Sequence, residues 1–206
     1  MISVIQAMRP VAMGRWTVGA ITTAALALSI ATWPGKVAAD ASAFDPATGY
    51  RIRQYRAPTP SDVPGGVKIT LDELETLRRD RNALLIDVMP SEGAGPDPIT
   101  GLWHVPKPRL NMAGSVWLPD VGKGVLTPQI DAYFKQALAR LTGGDNRRAI
   151  VFYCQADCWM SWNAVKRASE LGYSSLHWYP EGTDGMRDWD VPLVPAVPEP
   201  YPAGAR

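Results

Sequence analysis

The sequence has no long basic run, and its 21 lysines and arginines exceed its 20 aspartates and glutamates by one, for a formal net charge of +1. Such a balance gives no electrostatic reason to propose nucleic acid or a membrane surface as partner. Internal repeats and low-complexity blocks are also missing, so 206 residues with nearly half of them apolar read as one domain with extensions. Histidine and cysteine are scarce. His104 and His177 stand far from each other and from Cys154 and Cys158, with no paired-ligand spacing, so no zinc or copper site and no cofactor is assigned. Long apolar runs are lacking too. The longest, Val18 to Ala31, falls short of the roughly 20 residues a spanning helix needs.

That run, preceded by Arg9 and Arg15, has the length of a secretory signal core. Val37-Ala38-Ala39 and Ala39-Asp40-Ala41 both offer small residues at signal-peptidase positions. Residues 1–39 are therefore expected to be a signal peptide and the mature chain to begin at Asp40 or Ser42, with an uncleaved anchor as the alternative. Export would put the two cysteines in the periplasm, where a pair can form a disulfide, and cleavage would leave no stable membrane insertion.

From 40 to 66 the chain is polar and turn-rich and reads as an extension without its own core, docked through Tyr50, Ile52 and Tyr55. Thr70 with Glu73 forms a capping-box pattern ahead of Leu71, Leu74 and Leu77. Ala83 to Val88 is short and apolar, as a buried strand is, and Asp87 is its only charge. A long proline-bearing loop follows from Pro90 to Met112, then a short strand over Ser115 to Leu118. Thr127-Pro128 starts a helix whose apolar face is Ile130, Tyr133, Phe134, Ala137, Leu138 and Leu141, stopped by Gly143-Gly144. Ala149 to Tyr153 reads as a strand feeding a loop with both cysteines, and a helix runs from Met160 to Leu171 before Gly172. Leu176 to Tyr179 is one more strand, and the Pro- and Ala-rich tail over 191–206 is expected to be extended or disordered. Strands alternating with helices predict a mostly parallel sheet covered on both faces.

Several of these pieces, over 67–190, resemble a rhodanese-like domain, which implies an α/β fold with a five-stranded parallel sheet and helices on both faces. They are Leu85-Ile86-Asp87-Val88, Ala113-Gly114-Ser115-Val116 with Leu118-Pro119, Val151 to Cys154, Leu171-Gly172-Tyr173 and Gly185 to Trp189. Cys154 to Trp162 and Trp178 to Gly185 are similar to a narrower group, the Cys-Trp motif proteins associated with catabolism dependent on pyrroloquinoline quinone (PQQ). That resemblance implies a periplasmic accessory protein of alcohol oxidation, with a PQQ-dependent dehydrogenase or its cytochrome as partner.

In rhodanese-like enzymes the first loop cysteine carries a persulfide cradled by backbone amides, a place Cys154 occupies. The six-residue loop from Cys154 to Trp159 has the length associated with sulfur transfer. Trp159 stands where sulfurtransferases commonly have arginine, and Asp157 where they often have glycine. Both changes disfavour an anionic donor such as thiosulfate, unless Arg167 or Arg187 compensates in space. A free thiol with a pKa of about 8.5 is only roughly 3 per cent thiolate at neutral pH, so amide and helix donors have to activate the sulfur.

Cys154 and Cys158 are four apart, a spacing a loop can close into a disulfide. The ring entropy is only about 2 kcal/mol, which makes the pair a weak staple and a plausible redox couple. Cys154 is accordingly the candidate nucleophile and Cys158 its resolving partner, acting on a small sulfur donor or a protein thiol. Gln155, Ala156, Asp157 and Trp159 are candidate substrate-binding residues. Asp87 joins them as a residue that organises the loop, although a capping or turn role is its plainer reading. The other reading is a binding module without turnover, docking through Trp103, Trp159, Trp162 and Trp178.

Overall fold

The computed structural model describes residues 41–93, 95–97 and 99–202. The signal segment expected over 1–39 and the last four residues of the tail lie outside them. In chain order the elements are β1 (Val67–Lys68), α1 (Leu71–Arg81), β2 (Leu84–Asp87), β3 (Arg109–Met112), β4 (Val116–Trp117), α2 (Pro128–Thr142), β5 (Ile150–Tyr153), α3 (Trp159–Glu170), β6 (Leu176–Tyr179), α4 (Gly182–Asp188) and β7 (Leu193–Ala196). Five strands form one sheet in the order β1-β6-β5-β2-β4, with every neighbouring pair parallel. This is the five-stranded α/β architecture that the resemblance implies.

Local chemistry sets the helix ends where the sequence signals them. Thr70 Oγ1 accepts from the Glu73 amide at 3.3 Å while Glu73 Oε2 accepts from the Thr70 amide at 2.8 Å, the reciprocal pair that opens α1. Thr127 Oγ1 accepts from Ile130 N at 3.3 Å, Pro128 fills the first helical position, and Gly143 ends α2 at φ +65°.

Each central strand is buried on both faces because alternate side chains serve two cores. Ile150 and Phe152 join Leu84, Ile86 and Trp178 under α2 and α3, and Cys154 continues that row. Val151 and Tyr153 join Leu85 and Tyr179 under α1 and α4. The loop cysteine therefore leaves the sheet on the α2/α3 side.

The tail is extended over Leu193–Ala196, one of the two states expected of it. Instead of running free, β7 pairs antiparallel with β3, a strand inside the long proline-bearing loop that the sequence pattern does not mark. Proline is tolerated in such a two-stranded edge pair, where Pro195 faces Leu110 without needing to donate. Further on, Glu199 N donates to Trp117 O at 2.8 Å, and the Glu199 carbonyl accepts from Tyr133 Oη and Trp103 Nε1. Tyr201, buried, lies 5.6 Å from the Tyr133 ring. Tyr201→Ala is expected to cost roughly 3 kcal/mol in urea unfolding, because the cavity left against Tyr133 cannot collapse fully. An unchanged midpoint would mean that the tail does not contribute to the core.

Candidate active site

Cys154 follows directly on β5, and Cys158 is the residue before α3 whose carbonyl opens the helix. Their sulfurs are joined in a disulfide across Cα atoms 6.2 Å apart, inside the usual range for such a bond. The spacing closes into a disulfide, as a loop allows. Cys154 is 0% exposed and Cys158 1%, so the pair is sealed from solvent. A third sulfur touches it: Met89 Sδ lies 3.4 Å from Cys154 Sγ.

The Cys154 carbonyl is fixed by three donors. Arg109 Nη2 reaches it at 2.9 Å, Thr183 N at 3.1 Å and Thr183 Oγ1 at 3.3 Å. Arg109 is itself held by Asp87, with Nε to Oδ2 at 2.8 Å and Nη2 to Oδ1 at 3.1 Å, and Asp87 also caps the Met89 amide at 3.0 Å. Asp87 is fully buried. Burial pushes its carboxyl above the ordinary value, and the Arg109 guanidinium pulls against that shift. Asp87 thus organises the loop through Arg109, a residue that no local sequence pattern marks. Gly182 completes the junction at φ +55°. A Cβ there would stand 2.6 Å from Gln155 N and Cα, so only glycine lets the start of α4 approach the loop.

Two of the loop amides, those of Ala156 and Trp159, are met from within the chain. Ala156 N donates to Asp184 Oδ2 at 3.2 Å, and the same carboxylate binds Arg56 Nη2 at 3.4 Å and Arg187 Nη1 at 3.0 Å. Trp159 N donates to the Tyr55 carbonyl and Ala57 N to the Asp157 carbonyl, both at 2.9 Å. Residues 55–57 therefore lie along the loop as a short antiparallel strap. Asp157 is exposed and takes φ +55°, a left-handed conformation that favours glycine and that Asp tolerates. Gln155 pairs through its backbone with Gly182.

Trp159 is 3% exposed and packs edge-on to Phe44 and Trp162 at centroid distances of 5.1 and 5.3 Å. The Arg51 guanidinium lies 4.8 Å from the Trp159 ring and 5.1 Å from Phe44. A cation from the extension thus stacks on the tryptophan that replaces the loop arginine. Asn163 on α3 holds this segment: its Oδ1 accepts from Arg51 N at 3.0 Å and its Nδ2 donates to Arg51 O at 2.8 Å. The extension docks by Arg51 as well as by Tyr50 and Tyr55, which the sequence reading did not foresee.

Two expectations change here. Arg167 does not serve the sulfurs, since its guanidinium donates to the Val121, Lys123 and Gly124 carbonyls, and Arg187 serves Asp184. The four tryptophans proposed as a docking face do not form one. Trp159, Trp162 and Trp178 are core, Trp103 is half-buried on Glu199, and among the described residues the exposed tryptophan is Trp189 at 72%. The cavity bordering Met89 and Arg109 measures about 130 Å³. A larger one of about 360 Å³, between Asp120, Lys123 and Tyr201, is lined by neither cysteine.

No family model matches the chain, and no curated protein does. Among solved structures, the chain is similar to the polysulfide-sulfur transferase of Wolinella succinogenes at 14% identity, covering 63% of this chain and 79% of that one, with a TM-score of 0.41. It is also similar to wild-type EanB at 17% identity and a TM-score of 0.43, covering 66% of this chain but only 29% of EanB. An uncharacterized protein from Saccharomyces cerevisiae matches at 22% identity and a TM-score of 0.37, over 60% of this chain and 92% of that one. At these scores no activity carries over.

Removing one partner of the buried pair by Arg109→Met is expected to cost about 3–5 kcal/mol at neutral pH, because the Asp87 carboxylate is left uncompensated. With its folded pKa raised above the unfolded value, Asp87 binds its proton more tightly in the folded state. The penalty should therefore shrink as pH falls through that raised pKa, as urea unfolding at several pH values would reveal. Ala57→Pro deletes the donor to Asp157 without touching a cysteine. One backbone hydrogen bond of about 1 kcal/mol should speed reduction of the disulfide by a small dithiol roughly fivefold. An unchanged rate would mean that the strap does not guard the loop.

Proposed function

We propose that the chain carries thiol and persulfide chemistry at a Cys154–Cys158 couple, as a rhodanese-like accessory protein. The observation that carries this reading is the pair itself: two sulfurs at bonding distance, one leaving β5 and one at the start of α3. A thiolate at the start of a helix is favoured by the helix dipole and by its unpaired amides.

The cycle begins when a dithiol supplies two electrons and two protons, opens the disulfide and leaves as its own disulfide. The Cys154 thiolate then attacks a sulfane sulfur of a polysulfide. An S–S bond forms on Cys154, and the donor departs one sulfur shorter. The Cys158 thiolate attacks the Cys154 sulfur, re-forming the disulfide and expelling hydrosulfide. The inner sulfur is the electrophile in that last step, and the resolving cysteine is already within reach of it.

The setting we propose is the periplasm, in PQQ-dependent alcohol catabolism, serving a PQQ-dependent dehydrogenase or its cytochrome. This rests on the Cys-Trp motif and the signal-like N-terminus. A second reading, a docking module without turnover, is favoured by the sealed sulfurs and by loop amides already engaged with Asp184 and Tyr55.

Intact-mass analysis of the reduced protein after polysulfide treatment separates the two. The active reading predicts one added sulfur trapped on Cys154 in Cys158→Ser, and its release as hydrosulfide in the wild type. A reduced protein that never gains sulfur under those conditions would leave docking as the better account.

A further inference from the structure

Three sulfurs meet behind β2 and β5. Met89 Sδ is 3.4 Å from Cys154 Sγ, and Cys154 is joined to Cys158. The site is otherwise dry, because both cysteines are sealed in the core that also contains Phe152, Trp159 and Val88. Met89 is different. It is partly exposed and lines the cavity of about 130 Å³ with Arg109 and Trp117, so its thioether stands between solvent and Cys154.

The disulfide-closed pair and thioether have no further metal-ligating group near them. Among the described residues no three His, Cys, Asp or Glu side chains are grouped to hold a metal. The Asp87 carboxylate, buried beside Met89, is committed to Arg109 through both oxygens. Hard cations that need several oxygens are unsuited to such a site. Zinc normally takes four ligands in a structural site and would find three. Two thiolates and a thioether are instead a soft donor set of the kind that selects copper(I).

We infer that the reduced protein binds one copper(I) ion through Cys154, Cys158 and Met89, with Met89 as the ligand first met on entry from the small cavity. An external dithiol gives two electrons and two protons to the disulfide and leaves as its own disulfide. Copper(I) then replaces the two thiol protons, which pass to solvent. The disulfide form has no thiolates to offer and does not bind. The start of α3 at Cys158 helps to offset the negative charge that two thiolates and one monovalent ion leave behind.

The inference needs the couple to be reducible but does not need sulfur transfer. Failure of one therefore differs from failure of the other in what is measured. The test is anaerobic titration of the reduced full chain with copper(I) against a chromophoric copper(I) chelator, alongside X-ray absorption of the bound ion. One equivalent in a sulfur-only, three-ligand shell is the expected result for the wild type. Met89→Leu, which keeps the core volume, is expected to weaken binding roughly tenfold or more and to leave a two-sulfur shell. Cys154→Ser with Cys158→Ser should abolish it. Three results would overturn the inference: wild-type binding no tighter than that double variant, a Met89→Leu protein with unchanged affinity and shell, or zinc displacing copper(I) at equal concentration.

Discussion

The grip on the Cys154 carbonyl is the contact on which the rest of the site depends. One oxygen accepts from the Arg109 guanidinium and from both the amide and hydroxyl of Thr183, so β3 and α4 converge on a single atom at the end of β5. Arg109 can be placed there only because the buried Asp87 carboxylate neutralises it and fixes its fork at two points. A buried pair of this kind contributes little to net stability compared with apolar packing, but losing either half is costly. It therefore acts as a specificity device for the loop rather than as a staple. Because Asp87 also caps Met89, the same pair sets the thioether beside Cys154.

Around that anchor the loop is closed from the outside by backbone. Tyr55 and Ala57 exchange hydrogen bonds with Trp159 and Asp157, and Arg56 shares the Asp184 carboxylate with the Ala156 amide. The strap is held in turn by Asn163 and by Arg51 stacked on Trp159. Arg56 and Asp184 are well solvated, so their ion pair is screened and weak. The closure consequently rests on a few modest bonds above a sealed couple. Such an arrangement opens locally at a cost far below that of global unfolding.

Much of this was legible in the sequence. The capping residues Thr70 and Thr127, the apolar runs of β2 and β5, and the glycine after α3 are local signals from which a mostly parallel, helix-covered sheet follows, while its five strands came from the resemblance. The spacing of the two cysteines allowed a disulfide without deciding between disulfide, thiols and persulfide. What escaped were long-range partnerships. Arg109 sits in a loop between prolines, and its role depends on β7 pairing with β3 from the far end of the chain. Met89 reads as an ordinary residue after a strand until Cys154 is placed beside it. Arg51 reads as a solvated charge in a polar extension, because nothing local signals two aromatic rings folded over it. Asp157 was legible as a departure, and its positive φ is one that favours glycine.

The proposed function requires Cys154 and Cys158 to be a working couple rather than an inert crosslink. The most direct measurement is the state of the two sulfurs in protein taken from its own compartment, with thiols trapped by alkylation at the moment of lysis and read by peptide mass. The account predicts a divided population, in which disulfide coexists with alkylated Cys158 and with Cys154 bearing either the alkyl group or an extra sulfur. Disulfide in every molecule, under every growth condition sampled, would contradict it.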